Sequence, residues 1–258
     1  MKLLTCMLTK NRWYKSGKTI PMFGIVVHSS GANNPRLSRY VQPTPGTDGF
    51  WNMMSALGTN QYGNDWNRAD QPYGMHAFVG KLADGKVGTV QTLPWDSFLW
   101  GCGSGKNGSY NNTHIQFEIC EDNTDPDYTK KAYREAVELC AMLCDTFNIR
   151  VSNVVGHFEA HKQGYASAHA DPEHWWVLQG LTMENFRRDV QNVLNGYDIE
   201  EVEAMRYNDV TELPDWARPT IEKLMEKGLL NGDGTGLGLT NDMVRLLVIL
   251  DRGGVFQK

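Results

Sequence analysis

The sequence predicts an α/β fold: a central mixed β-sheet flanked by helices, followed by a small helical module. Three observations carry this. Short apolar runs of strand length alternate with segments of helical periodicity. Two of the runs are joined by Asp84-Gly85, a hairpin turn pair, and the order strand, hairpin, strand, helix, strand, helix is that of a sheet covered by helices. All seven histidines lie between His28 and His174, so the C-terminal stretch is set apart in composition.

The elements follow in order. Residues 3–8 are apolar and read as a first strand or packing arm. Phe23-Gly-Ile-Val-Val-His28 is a continuous apolar run closed by Ser-Ser-Gly, the pattern of a buried strand ending in a loop. Residues 33–70 are rich in Asn, Pro, Gly and Asp and read as a long loop with one helix at 50–57. Residues 75–80 and 87–93 are the arms of the hairpin, and 101–112 a Gly/Ser/Asn-rich loop. In residues 113–120, Ile115, Phe117 and Ile119 share one face and His114, Gln116, Glu118 and Cys120 the other. Residues 127–147 carry an apolar stripe at helical spacing, from Ala132 and Ala136 to Leu143 and Phe147. Residues 151–157 form a short strand ending in a histidine, and Thr182 opens a helix that Gly196 closes.

Residues 1–197 are therefore expected to form the main domain and 198–206 a charged linker. Residues 207–258 would form two helices, at 216–227 and 241–251, around a Gly-rich loop. A unit that small has a marginal core and calls for a neighbour or a second copy to pack on.

Composition excludes several classes. With 258 residues, 41% hydrophobic and 10% aromatic, the chain can bury a core. A net charge of −5 argues against a nucleic-acid partner held by bulk charge. No apolar run approaches the roughly 20 residues of a membrane span. The first twelve residues lack a secretory apolar region and cleavage site, so synthesis in the cytoplasm without a signal peptide is expected. Five cysteines, an odd number with no CxxC pair, predict reduced, mostly buried thiols.

Two predicted strands end alike, at His28 and His157, and the carboxyl ends of strands in one sheet share a crevice. Asp171 follows in His169-Ala-Asp-Pro-Glu-His-Trp-Trp176. Two imidazoles and a carboxylate with an open fourth position make a catalytic zinc site. Glu118, on the polar strand face, is a candidate general base, and His169 could stabilise an oxyanion or protonate a leaving amine. On its own, His28 or His157 reads as a core histidine bonded to backbone, and His161, His169 and His174 as solvated loop residues. Cys102 paired with a histidine is a competing nucleophile. Trp51, Trp66, Trp95, Trp100, Trp175 and Trp176 suit either core packing or stacking on sugar rings.

Taken together, Gly24-Ile-Val-Val-His-Ser-Ser-Gly31, Asn112-Thr-His-Ile-Gln-Phe-Glu-Ile-Cys120, Val155-Gly-His157 and Asp171-Pro172 resemble, in that order, the zinc N-acetylmuramoyl-L-alanine amidases of type 2. The family is related to peptidoglycan recognition proteins. The segment Ala166-Ser-Ala-His-Ala-Asp-Pro-Glu-His-Trp-Trp176 looks most like phage or prophage endolysins. The resemblance implies Zn²⁺ on His28, His157 and Asp171, with Glu118 and His169 catalytic and substrate contacts from His76, Trp100 and Asn112. It implies cleavage of the amide between N-acetylmuramic acid and L-alanine in peptidoglycan, at the bacterial wall after release from the cell. The alternative is a non-catalytic peptidoglycan-binding module. Three positions depart from the family: Met75 stands where some members carry a catalytic tyrosine, Gly101 where many carry a histidine after the tryptophan, and His169 where many carry a lysine. From Tyr207 on, the chain looks like a single S-layer-homology repeat, which implies wall-polymer binding or homo-oligomerisation.

Overall fold

A computed structural model describes residues 1, 3–197, 206–232, 234 and 236–256. Of the expected linker 198–206, all but Arg206 lies outside these. The chain divides into two compact units, Met1–Leu194 and Asn195–Lys258.

The first unit is built on six strands: β1 (Leu3–Thr5), β2 (Gly24–Asn33), β3 (Ala77–Lys81), β4 (Val87–Gln91), β5 (His114–Glu121) and β6 (Val154–Gly156). They lie in the order β1-β4-β3-β5-β2-β6, and only the β3–β4 hairpin is antiparallel. The expected mixed sheet is thus observed. Helices α1 (Arg12–Ser16), α2 (Phe50–Leu57), α3 (Pro126–Phe147), α4 (His157–Lys162), α5 (Glu173–Trp176) and α6 (Met183–Leu194) complete the unit. The 22-residue α3 starts on an Asp125 cap, whose side chain accepts from Tyr128 N–H, and ends on left-handed Asn148. Its buried stripe packs on the β3–β5 part of the sheet and on α6. A second apolar cluster, including Leu37, Tyr40, Phe78 and Cys120, also packs in this unit. All eight residues of β5 are buried, so its polar row belongs to the interior.

Two expected boundaries shift. β2 does not stop at His28; it continues to Asn33 beside β5, with a register irregularity after Ser29. β6 is shorter than expected, and His157 opens α4 instead of closing the strand. The cause is local: Glu159 accepts from Gly156 N–H at 3.0 Å and so caps the helix at the end of the strand. All five cysteines are buried and free.

In the second unit, β7 (Arg206–Tyr207) pairs antiparallel with β8 (Leu239–Thr240). Helices α7 (Arg218–Glu226) and α8 (Asn241–Arg252) enclose a small core of Leu213, Ala217, Ile221, Leu239, Val244 and Val248. Lys223 Nζ reaches Asp251 at 2.6 Å.

Candidate metal centre and its cleft

Parallel pairing aligns the chemistry. His28 of β2 sits level with Glu118 of β5, and Val27 level with Gly156 of β6. His157, the next residue along, therefore comes beside His28. Asp171 joins from the loop after α4, where its carbonyl accepts from Phe158 N–H at 3.1 Å.

The three side chains converge atom to atom. His28 Nδ1 lies 3.0 Å from Asp171 Oδ2 and 3.1 Å from His157 Nδ1, and His157 Nδ1 lies 3.2 Å from Asp171 Oδ1. All three residues are buried. Donors about 2.0–2.1 Å from a tetrahedral ion stand roughly 3.3–3.4 Å from one another, and the two ring nitrogens, each also facing one oxygen of the Asp171 carboxylate, are spaced near that value. The donor set, two imidazoles and one carboxylate, is also that of an open catalytic site.

Electrostatics favour the ligating forms. Burial alone would raise the Asp171 carboxyl, but hydrogen bonds from His157 and His28 outweigh it and hold the group far below the usual carboxylate range. Burial lowers His157 against the pull of the Asp171 carboxylate, and His28 beside it acts in the same direction as burial, toward the neutral form that ligation uses. Glu118 faces the same space. Burial, then the charges of Asp171 and Glu121, push its carboxyl up to about 8. His169 stacks on His157, ring centroids 4.6 Å apart and planes 17° from parallel, with Nδ1 3.8 Å from Asp171. Its ring is lowered by partial burial and by His157.

These residues form the floor of an open cleft of about 700 Å³. Trp66, Tyr73, Met75 and Trp100 supply apolar lining, and Ser30 and Ser104 polar lining. Flat apolar rings beside polar groups suit a sugar ring, whose C–H faces need such partners.

Not every expected contact reaches this cleft. His76 is fully buried: Nδ1 accepts from Gln116 N–H at 2.9 Å, and Nε2 donates to Ser97 O at 2.9 Å. It staples β3 to β5 and has no face toward the cleft. Asn112 is exposed in the turn that opens β5, away from the strand end where Glu118 sits, and does not line the cleft. Its neighbour Asn111 is the buried one. Cys102 is likewise interior, and burial pushes its thiol up to about 11, away from the thiolate form that a nucleophile uses. Trp175 and Trp176 are core residues, Trp176 packing on Tyr133 and Phe186. His174, read as a loop residue, lies on α5, lines the cleft and pairs with Glu121 at 3.1 Å. Gln116 was the least visible from sequence; its only signal was its place on the polar row of β5 with His114 and Glu118.

Solved structures with a similar fold include the Staphylococcus aureus hydrolase AmiA in complex with its ligand, 17% identical, covering 75% of this chain and 83% of that one at a TM-score of 0.50. The PlyG catalytic domain is 22% identical over 75% of this chain and 96% of that one, with a TM-score of 0.48. The XlyA catalytic domain is 22% identical over 73% and 98%, with a TM-score of 0.47. No curated protein matches the sequence. Residues 18–174 match the N-acetylmuramoyl-L-alanine amidase family. That stretch is more than half of the chain and runs from before His28 to beyond Asp171, and by it the chain belongs to the N-acetylmuramoyl-L-alanine amidase family.

Proposed function

We propose that this chain is a zinc-dependent peptidoglycan amidase that cleaves the bond between N-acetylmuramic acid and L-alanine, acting at the bacterial wall as a phage or prophage endolysin. The observation that carries the enzymatic part is the triangle of His28 Nδ1, His157 Nδ1 and Asp171 carboxylate with Glu118 beside it. Family membership and the cleft's aromatic lining support peptidoglycan as substrate. The endolysin role rests on the segment 166–176.

His28, His157 and Asp171 would hold the zinc, which when bound supplies Lewis acidity toward the scissile carbonyl and toward an attacking water. Glu118 takes the proton from that water and passes it to the departing amine nitrogen. Glu118, raised by burial and by the charges of Asp171 and Glu121, would take its ionised, proton-accepting form once a cation held by the three ligands offset that charge. His169, half over the site, donates a hydrogen bond to the carbonyl oxygen as charge develops there. Trp66 and Trp100 hold the sugar face and exclude water from one side.

Residues 207–258 are read as a separate module that binds a wall polymer or joins copies of the chain, with 198–206 as the linker. No helix among the described residues is long and apolar enough to cross a membrane.

The test is digestion of purified cell walls by the full chain. New L-alanine amino termini should appear without new reducing ends. Chelation should stop the release and zinc restore it. Reducing ends without new amines would replace amide cleavage by glycoside cleavage, and wall binding with no release would favour the non-catalytic module.

A further inference from the structure

The two ring nitrogens of His28 face different neighbours. Nδ1 points into the triangle, while Nε2 lies 3.0 Å from Gln116 Oε1. An amide oxygen only accepts, so Nε2 carries a hydrogen, and Nδ1, which faces the Asp171 carboxylate, is the nitrogen left to give its lone pair to a metal. This holds only if the Gln116 amide cannot turn over, and the structure shows what prevents it.

Gln116 Nε2 donates to Asn111 Oδ1 at 2.9 Å. That oxygen also accepts from the backbone N–H groups of Gly101 at 2.9 Å and Cys102 at 3.0 Å. The other end of the Asn111 amide donates to Gly103 O at 2.7 Å. Backbone groups have fixed polarity, so the Asn111 amide has one orientation, and it must offer oxygen to Gln116. Gln116 must then offer its NH₂ to Asn111 and its oxygen to His28. Gln116 is fully buried and Asn111 nearly so, so a lost partner would leave a buried polar group unsatisfied. The Gln116 backbone is itself fixed, since its N–H donates to His76 Nδ1.

Gly101 completes the arrangement. Its backbone is not left-handed, so conformation does not require glycine. Space does: a Cβ there would fall against Gln116 Oε1, far inside van der Waals contact, and also against Met75 and Leu99.

We propose that Gln116 is a positioning residue of the metal centre: its amide, locked by Asn111 and the backbone of residues 101–103, sets the ring orientation and tautomer of His28, and Gly101 is glycine to make room for it. Trp100, Gly101 and Gly103 line the cleft, so the same loop that faces substrate holds the far end of the ligand's hydrogen-bond chain. This inference rests on the metal reading of the site and not on which bond the enzyme cleaves.

The test is zinc affinity of the full-length chain, measured by competition with a chromophoric chelator, with imidazole ¹H–¹⁵N spectra of the zinc-loaded protein. Wild type should show a slowly exchanging His28 Nε2–H. Gln116→Leu should weaken zinc binding ten- to hundredfold and lose that protected proton. Gly101→Ala, which leaves the amide in place but displaces it, should weaken binding in the same direction and guards against a Gln116→Leu chain that does not fold. If folded Gln116→Leu binds zinc as wild type does, or His28 carries its proton on Nδ1, the proposal is overturned while the amidase reading stands. A wild type that binds no zinc overturns both. Zinc binding without amide cleavage overturns the amidase reading alone.

Discussion

Asp171 Oδ2 stands 3.0 Å from His28 Nδ1 across 143 positions of chain. Local structure cannot bring them together. The pair exists only when the sheet has formed and the loop after α4 has docked, so an ion bound there is selective for the folded unit. Ligand binding to the folded state alone stabilises by roughly 2.7 kcal/mol at a hundredfold excess over Kd. For a unit of this size that is a rise of roughly 5–10 °C in melting temperature. Calorimetry of chelated against zinc-loaded protein checks this, and a transition of the first unit that zinc leaves unmoved would argue against the centre.

Removing one vertex should disable the centre. Asp171→Ala takes away the one anionic ligand and leaves two imidazole nitrogens 3.1 Å apart with no carboxylate between them. Bound zinc should fall well below one per chain, and wall lysis should vanish. Full metal content with full activity in this variant would refute the ligand assignment.

Glu118 should separate binding from chemistry. It lines the cleft beside the triangle, and its proposed work is proton transfer. Glu118→Gln keeps the shape, so zinc stoichiometry should hold while turnover drops roughly 10²–10⁴-fold. A loss of zinc equal to that of Asp171→Ala would make it a ligand instead.

The buried histidines set an acid limit on stability. Burial pushes His76 and His114 each from 6.5 down to about 4. Between those values the unfolded chain binds protons that the folded chain refuses, so their contribution is complete above pH 6.5 and is lost as pH falls toward 4, roughly 3 kcal/mol for each. Glu118, raised from 4.5 to about 8, acts oppositely, because there the folded chain holds a proton that the unfolded chain releases. From pH 6.5 down to 4.5 two protons oppose one, and metal-free stability should fall by roughly 1.4 kcal/mol per pH unit. Urea midpoints across that range check the slope; a flat or rising curve would contradict it.

What could be read in the sequence follows from where each signal originates. The alternation at 113–120 placed Glu118 and Gln116 on one row because a strand's period of two is local and strong. The polar row lies inside because helices and loops cover both faces of β5, a tertiary fact that alternation does not report. His76 entered the expected set by resemblance, and its ring is held inside between Gln116 N–H and Ser97 O, contacts that the sequence does not report. Gly24 shows the same limit: a Cβ there would strike the His114 ring and Asn153 O, neighbours 90 or more residues away. The turn of His157 from strand end to helix start depends on Glu159, through a side-chain contact that periodicity does not weigh.

That turn carries the last prediction. Glu159 caps Gly156 N–H and is itself clamped by Arg187 of α6, at 2.7 and 3.0 Å through two guanidinium nitrogens. Arg187 Nη1 also donates to Val154 O at 3.1 Å, so one side chain joins α6 to both ends of β6. Lysine offers a point charge and cannot make the bidentate contact. Arg187→Lys should therefore cost about 1–2 kcal/mol of stability and, by loosening the start of α4 at His157, weaken zinc binding several-fold. A double-mutant cycle with Glu159→Gln assigns the effect: a coupling energy near zero in both stability and zinc affinity would show that the clamp does not position the ligand.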